Sequence, residues 1–429
     1  MVAEGSGALG GTVSGGNAGS DDLGWRFKLR QMTLSRQAAC SADRYCNTNG
    51  ENVQLKCKTV SFGSRMSAPH ALRTSWWHAT VPLLGCAVLA AVWGQEPGWT
   101  LLLGVIALLF TVVMSAVHHA EVIALRLGEP LGTLVLALAV TVIEASLIVA
   151  LMISGGESAS ALARDTVFAT VMIICNGVVG LCLLMGALRH QVLAFRVDGT
   201  TPALSVLATL ATLTLVLPSF TSSTVGPTLS SPQLAFAGVI SLVLYGTFLF
   251  VQTVRHRDYF LPIEHDGDGT LEVHPLPSGP AALASLGLLS ASLVAVVGLT
   301  KVLAPQMETQ VAQAGLPHAV VGVAIALIVL LPETSAAVRA ARHNRMQTSF
   351  NLALGSALAT IGLTIPVVAL TVLWLKMPLV LGLPPKEMVL LGLTLLISSM
   401  TLQRGLATVL QGTVHLVLFA VYLFLTIWP

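Results

Sequence analysis

The stretch Leu136-Ala-Leu-Ala-Val-Thr-Val-Ile-Glu144-Ala-Ser146 places one carboxylate inside an apolar run. The stretch Ile325-Ala-Leu-Ile-Val-Leu-Leu-Pro-Glu333-Thr-Ser335 repeats it 189 residues later, with Ala, Leu, Val, Glu and Ser in the same register. In a membrane span a charged group costs about 2.5–3.5 kcal/mol on insertion scales, so such acids are rare. Two of them at equivalent positions indicate a functional pair.

The composition around these stretches is that of a membrane protein. Of 429 residues, 54% are hydrophobic and only 10% are Asp, Glu, Lys or Arg, whereas a soluble domain has about 25% charged residues. Residues 1–75 hold nine of the 22 basic and five of the 20 acidic side chains. The remaining 354 residues therefore carry only 28 charged side chains, which excludes a water-soluble globule. A net charge of +2 without a concentrated basic patch also argues against nucleic acid as a partner.

Eleven apolar runs after residue 76 are long enough to cross a bilayer, which takes about 20 residues of helix. They show no period-2 alternation, so helices are predicted rather than a barrel. The predicted spans are 77–94, 99–118, 131–153, 167–188, 202–220, 233–253, 280–303, 317–338, 349–373, 387–403 and 406–427.

The repeat organises these spans. Glu144 lies on the third and Glu333 on the eighth, so the two copies run in opposite directions, as in the inverted repeats of secondary transporters. We therefore expect an all-α integral membrane fold with one peripheral helix and two inverted five-helix repeats. The predicted segments are a polar, disordered tail at 1–75, the peripheral helix at 76–95, the first repeat at 98–253, an acidic cytoplasmic loop at 254–279 and the second repeat at 280–429.

The distribution of basic residues predicts the orientation, because loops rich in Lys and Arg stay in the cytoplasm. A cytoplasmic N-terminus puts nine arginines inside and leaves four basic residues outside. The inside set is Arg126, Arg189, Arg196, Arg255, Arg257, Arg339, Arg342, Arg345 and Arg404, and the outside set is Arg164, Lys301, Lys376 and Lys386.

Glu144 and Glu333 are the expected cation- and proton-binding residues. Carboxylate, hydroxyl and carbonyl oxygens are the ligands of hard cations such as Ca²⁺, and protons compete for the same carboxylates. One pair can thus hold two protons or one divalent ion in alternation. Candidate accessory ligands are Thr141, Ser146, Asn176, Thr334, Ser335, Asn351, Ser356 and Thr360; for each hydroxyl, a bond to its own helix is the alternative.

A group at the inner end of the second span is a candidate proton relay. It comprises His118, His119 and Glu121, and histidine changes its charge near physiological pH. Solvated interface side chains are the alternative interpretation. The acidic loop contains Asp258, Glu264, Asp266, Asp268 and Glu272. It matches only part of a calcium-binding loop pattern, which favours a solvated linker over a cation sensor.

Several strings together resemble the bacterial ChaA-type branch of the calcium/cation antiporter superfamily. They are His118-His-Ala-Glu121, Leu127-Gly-Glu-Pro-Leu-Gly-Thr133, the Glu144 segment, Leu331-Pro-Glu-Thr334 and Asn351-Leu-Ala-Leu-Gly-Ser-Ala-Leu-Ala-Thr-Ile-Gly-Leu-Thr-Ile-Pro366. The resemblance runs from about residue 70 to the C-terminal end. It implies Ca²⁺/H⁺ exchange, with Na⁺/H⁺ and K⁺/H⁺ exchange also in this branch, and makes Glu144 and Glu333 the ion-binding acids.

The chain departs from the calcium/proton exchangers at one motif. They carry Gly-Asn-Ala-x-Glu ahead of each acid, whereas this chain has Val140-Thr-Val-Ile-Glu144 and Val329-Leu-Leu-Pro-Glu333. Na⁺ and K⁺ therefore remain candidate substrates beside Ca²⁺.

The expected protein is a secondary transporter of the bacterial inner membrane, with inorganic cations, protons and lipid as partners and with no cofactor. The alternatives are an intramembrane enzyme, a proton-coupled transporter of another solute and a channel. An enzyme is disfavoured because no GxGD, GxSG or HExxH motif lies in a span. An organic solute would require a basic or aromatic group at depth.

Deleting residues 1–65 should leave insertion and cation-driven proton flux intact, because this polar segment lies outside every predicted span. The measurement is flux in inverted vesicles at matched expression. Loss of insertion or of flux in the shortened protein would show that the tail is part of the transporter.

Overall fold

The fold is described by a computed structural model that covers residues 76–95, 99–128, 131–261, 277–315, 317 and 319–428. The predicted tail at 1–75 and residues 262–276 of the acidic loop lie outside the described residues. Contacts divide the chain after Ser67, and every described residue belongs to the unit Ala68–Pro429.

Eleven helices form this part of the chain, four of them with a π-helical segment. They are α1 Trp76–Val92, α2 Trp99–Leu127, α3 Leu131–Gly155, α4 Leu162–His190, α5 Val197–Ser219, α6 Ser231–Arg255, α7 Gly279–Gln313, α8 Ala319–Arg342, α9 Met346–Leu375, α10 Pro385–Leu402 and α11 Val409–Ile427. The π segments are Ile173–Val178 in α4, Thr212–Val216 in α5, Val251–Arg255 in α6 and Thr360–Thr364 in α9. A 3₁₀ turn, Leu217–Ser219, ends α5. Two further 3₁₀ turns are Gly156–Ala159 and Arg257–Phe260, and the two strands are β1 Leu193–Ala194 and β2 Leu406–Ala407.

The predicted all-α membrane fold is confirmed. Within the described residues, nine helices are long and apolar enough to cross a membrane, and α1 and part of α3, Leu138–Ile153, are shorter apolar helices. Large apolar side chains such as Trp374 and Leu283 are exposed on the bundle. Such a surface fits lipid, since it would be unfavourable in water.

Two helices extend furthest beyond their predicted spans. The second span was expected to end at 118 and the seventh at 303, but α2 continues to Leu127 and α7 to Gln313. At 1.5 Å per residue the 29 residues of α2 extend about 44 Å, beyond a hydrocarbon layer of about 30 Å. Hydropathy marks only the apolar part of a helix. The helix itself can continue through polar residues, so its ends are not visible in the hydropathy.

Capping boxes fix the starts of two helices. Gln233 accepts a hydrogen bond from the backbone N–H of Ser230 at 3.0 Å, and Gln411 accepts one from that of Thr408 at 2.9 Å. Ser or Thr followed three residues later by Gln supplies this reciprocal cap. The starts of α6 and α11 are therefore encoded locally.

The π segments of α4 and α9 lie at equivalent positions of the predicted repeat. Shifted by the 189 residues that superpose the two glutamates, Ile173–Val178 overlaps Thr360–Thr364. This correspondence supports the division into repeats at 98–253 and 280–429, which stays a prediction.

The buried apolar side chains form two clusters. One includes side chains of α1, α2 and α7, such as Leu89, Val112 and Ala295. The other is larger and takes most of its side chains from α4, α5, α8 and α9. The glutamate-bearing helices contribute to both: on α3, for example, Leu147 belongs to the first cluster and Ile148 to the second. Glu144 and Glu333 thus lie on the helices that join two packing units.

One end of the bundle, here called the arginine end, carries Arg189, Arg196, Arg255, Arg257 and Arg342. There the Nε2 atom of His190 lies 3.0 Å from the Arg342 carbonyl oxygen, and the Arg196 guanidinium donates to the Asp258 carbonyl at 3.1 Å. At the same end β1 pairs antiparallel with β2, joining the α4–α5 and α10–α11 connections.

At the opposite end the connection 377–384, here called the strap, is held by hydrogen bonds. The backbone N–H of Val380 donates to Ser160 at 3.0 Å, and that of Leu383 donates to Leu215 at 2.8 Å. Arg164 donates to the Gly382 carbonyl at 3.2 Å. The strap is therefore fixed to both the α3–α4 connection and α5.

Gly412 on α11 lies against the backbone of α4. A Cβ atom there would be 2.6 Å from the Leu184 nitrogen and 3.0 Å from the Gly180 oxygen, and backbone cannot move aside as a flexible side chain can. Gly412→Ala should therefore lower the thermal midpoint of the solubilised protein, with a cost of about 1–3 kcal/mol.

Gly392→Ala is the matched control, because a Cβ on this α10 residue would meet nothing within 4 Å. Its midpoint should stay unchanged or rise slightly, since alanine favours helix over glycine. Equal midpoints for the two variants would contradict the close approach of α4 and α11.

Candidate functional site

Glu144 lies at the centre of the candidate site, on α3, and only 2% of its surface is exposed. The Thr360 hydroxyl donates to its Oε2 atom at 2.6 Å, and the Thr170 hydroxyl donates to Oε1 at 3.3 Å. Both threonines are buried. Each carboxylate oxygen therefore has a hydroxyl partner.

The two threonines come from the helices with equivalent π segments. Thr360 is the first residue of the π segment of α9, and Thr170 on α4 precedes Ile173 by three residues. A π segment inserts an extra residue into a helix and turns the following side chains, and such segments are frequent at functional sites. Thr360 begins one π segment and Thr170 lies just before the other, so both hydroxyls on Glu144 come from irregular regions of their helices.

Glu333 is the second acid of the site, on α8. Its Oε2 atom is buried and has no hydrogen-bond partner among the described residues. Pro332, directly before it, has no N–H to donate to the Ile328 carbonyl one turn back, so a backbone acceptor is released. A buried carboxylate oxygen without a donor calls for a ligand or a proton.

Glu144 and Glu333 line the same cavity, which has a volume of about 430 Å³. It extends from the glutamates to Gln252, Arg257 and Leu261 at the arginine end. The full lining is Val140, Thr141, Glu144, Tyr245, Phe248, Leu249, Gln252, Thr253, Arg257, Phe260, Leu261, Glu333, Thr348, Asn351, Leu352, Gly355, Ser356, Ala359 and Thr360. The cavity has room for an ion with water around it.

The cavity wall contains four of the predicted accessory residues: Thr141, Asn351, Ser356 and Thr360. Asn351 already has two partners, since its amide donates to the Phe260 carbonyl at 2.6 Å and accepts from Gln347 at 3.1 Å. It therefore also fixes the turn that closes one side of the cavity.

The other predicted ligands are not among the lining residues. Thr334 donates to the Leu330 carbonyl and Ser335 to the Pro332 carbonyl, both at 2.7 Å, which is the within-helix alternative. Ser146 is half-buried outside the lining. Asn176, also predicted as an accessory ligand, instead donates to the Thr394 hydroxyl at 2.8 Å.

The predicted relay residues also lie outside the cavity lining. The His118 ring stacks on His78 of α1 with centroids 3.8 Å apart. His119 contacts the His78 carbonyl at 3.0 Å and the Ser285 hydroxyl at 3.3 Å. Glu121 is exposed. The two histidines thus join α1, α2 and α7, and their role in a proton relay stays a prediction.

Sequence reasoning missed Thr170, Tyr245 and Gln252. A usable signal existed for Thr170, because it lies within one residue of the position that the repeat offset assigns to Thr360. Tyr245 and Gln252 reach the cavity from α6, and nothing in their local sequence points to it.

The potential ligands in the cavity are oxygen atoms, from two carboxylates, several hydroxyls and two amides. Hard cations prefer such ligands. Among the described residues, no group of three or more His, Cys, Asp or Glu side chains could hold a metal ion.

Known proteins resemble this chain in sequence and in fold. The sodium/calcium exchanger protein family matches residues 97–254 and 284–428. A relative from Sinorhizobium fredii named for ionic transport, y4hA, is 48% identical over 356 residues, covering 82% of this chain and 96% of y4hA. The sodium-potassium/proton antiporter ChaA of Escherichia coli is 35% identical over 347 residues, covering 80% of this chain and 93% of ChaA.

Two solved structures share the fold. The structure of native YfkE has a TM-score of 0.60 at 17% identity and covers 82% of this chain and 99% of YfkE. The crystal structure of the H⁺/Ca²⁺ exchanger CAX has a TM-score of 0.60 at 14% identity and covers 81% of this chain and 86% of CAX. With the family match over most of both halves, these likenesses lead to one conclusion: the chain is a multi-pass membrane protein that belongs to the sodium/calcium exchanger protein family, within the calcium/cation antiporter superfamily.

Proposed function

We propose that this protein exchanges cytoplasmic Ca²⁺ for protons, with Glu144 and Glu333 as the shared binding site. The observation that carries the proposal is the pairing of two carboxylates in one cavity, one partnered by hydroxyls and one with an unpartnered buried oxygen among the described residues. A divalent ion needs two negative charges to be neutralised in a region of low dielectric constant. Two protons achieve the same neutrality.

The threonine hydroxyls allow the site to alternate between these states. A hydroxyl carries one donor and two acceptor lone pairs. With no cation present, Thr170 and Thr360 donate to Glu144; with a cation present, the same oxygen atoms can turn their lone pairs to the ion. The site can therefore exchange protons for a cation without movement of either threonine.

Exchange of Na⁺ or K⁺ for protons is the second candidate function. The specific observation that favours it is the 35% identity to a protein named as a sodium-potassium/proton antiporter. In that case a monovalent ion neutralises one carboxylate while the other keeps its proton. The two functions use the same residues and differ in the number of protons displaced.

The orientation we propose puts the arginine end in the cytoplasm of a bacterial inner membrane, following the positive-inside rule. The cavity then extends toward the cytoplasm, and the strap closes the opposite side through Arg164, Val380 and Leu383. Release on the far side would require the strap contacts to open. The helices α3 and α8, shared by both apolar clusters, are where we place the relative motion.

Replacing Glu144 or Glu333 by Gln should abolish exchange while leaving the protein inserted, since an amide keeps the shape but cannot bind and release a proton. Asp at either position should be partly active with altered apparent affinity. The measurement is ion-by-ion flux of Ca²⁺, Na⁺ and K⁺ in inverted vesicles under an imposed pH gradient.

Glu387→Gln provides a matched control. This carboxyl on α10 also has a buried oxygen without a partner among the described residues, but it does not line the cavity. Its flux should stay close to that of the unchanged protein. Near-normal exchange in either Glu144→Gln or Glu333→Gln would overturn the site, and flux without a proton counter-flow would indicate a channel.

Competition between protons and cations predicts a pH dependence. Apparent cation affinity should weaken as the pH falls, because each proton on Glu144 or Glu333 must leave before the cation binds. By linkage, the slope of log affinity against pH should approach two for Ca²⁺ displacing two protons and one for a monovalent ion displacing one. The test measures half-saturating Ca²⁺ and Na⁺ at several pH values; an affinity constant over three pH units would contradict shared binding.

A further inference from the structure

A second buried polar cluster lies outside the cavity lining and joins α4 to α10 and α11. It consists of Asn176, Thr394, Thr401 and His415, here called the His415 network, and all four side chains are buried. Asn176 and His415 are 0% exposed. None of the four lines the cavity, so the exchange mechanism leaves their role open.

The network has a consistent set of donors and acceptors. The Asn176 amide donates to the Thr394 hydroxyl at 2.8 Å, and Thr394 donates to the Met172 sulfur at 3.5 Å. The Asn176 carbonyl oxygen lies 3.4 Å from Nδ1 of His415, and Nε2 of His415 lies 3.1 Å from the Thr401 hydroxyl. A neutral imidazole with its proton on Nδ1 fits every contact, with Thr401 donating to Nε2.

Close packing keeps α11 against the π segment of α4. A Cβ at Gly180 would lie 2.9 Å from the His415 Cβ, and one at Gly177 would lie 3.3 Å from the Phe419 ring. Small residues let membrane helices approach until their polar groups meet. The His415 ring is therefore held at one depth along α4.

The network touches α4 next to a site residue. Asn176 is part of the π segment Ile173–Val178, and Met172, the acceptor for Thr394, directly precedes it. Thr170, two residues earlier, donates to Glu144. A π segment has a weakened hydrogen-bond ladder, so outside partners are needed to fix the rotation of the helix there.

We propose that Asn176 and His415 are positioning residues for the cation site, which hold the π segment of α4 so that the Thr170 hydroxyl reaches Glu144. This inference rests on the proposed function of Glu144 in cation binding. The two residues touch neither the ion nor the reacting carboxylate and act through Thr170. The second half of the chain, through α10 and α11, thereby sets the geometry of a ligand in the first half.

The test is a double-mutant cycle on cation binding, read as the rise in thermal midpoint of the purified protein with Ca²⁺ or Na⁺. Ligand stabilisation reports affinity without requiring turnover. His415→Leu and Thr394→Val should each raise the half-saturating cation concentration about fivefold, the loss that one hydrogen bond typically causes. In a Thr170→Val background both substitutions should change it less than about twofold, because the residue through which they act is gone.

Two variants separate positioning from general packing. His415→Gln keeps a donor and an acceptor and should bind the cation within about twofold of the unchanged protein. Ser398→Ala on α10 removes a buried hydroxyl that has no partner among the described residues, and should change nothing. If His415→Leu does not fold, Thr394→Val, close in volume to threonine, carries the cycle alone.

Equal changes with and without the Thr170→Val substitution, or no change in either background, would overturn the proposal. Failure of the proposed function gives a different result: the unchanged protein would then show no cation-dependent midpoint, or Glu144→Gln would keep it. The same experiment therefore distinguishes the two failures. The His415 and Thr394 variants test the positioning role, and the unchanged protein and Glu144→Gln test the proposed function.

Discussion

The absence of water in the hydrocarbon layer is the constraint on which the rest of the structure depends. A carboxylate there must be neutralised by a proton or a cation and must find its hydrogen-bond donors within the protein. Glu144 has them in Thr360 and Thr170, which come from helices in different halves of the chain. Glu333 keeps a buried oxygen without a partner among the described residues. The two acids therefore differ in how many of their carboxylate oxygens have a hydrogen-bond partner.

The surrounding architecture follows from this need. Hydroxyls can reach Glu144 only if α4 and α9 both pass close to α3, and both helices carry a π segment at that depth. The apolar side chains then separate into two clusters that share the glutamate helices. The two glutamates thus lie on helices that pack in both clusters.

Features that depend on the hydropathy and charge of neighbouring residues along the chain could be predicted from the sequence. The eleven helices and the family could be predicted from it, and it singled out the two glutamates because an acid inside an apolar run is conspicuous. Helix ends were less accurate, since α2 and α7 continue about ten residues beyond their predicted spans. Asn176 shows what local sequence could not predict. A buried amide needs hydrogen-bond partners, and those of Asn176 are Thr394 and His415, over 200 residues away along the chain. No local pattern records such a pairing.

The two-residue pairing of β1 with β2 has a consequence for the order of synthesis. Leu193 meets Ala407, so this contact can form only after more than 200 further residues have left the ribosome. At about 5–20 residues per second the delay is on the order of 10–40 s. During that time α4 is in the membrane without α11, and its π segment lacks His415. The buried polar contacts of α4 are therefore complete only after α11 has been translated. A protein truncated before α11 would keep most of its spans but would lack the contact between His415 and Asn176.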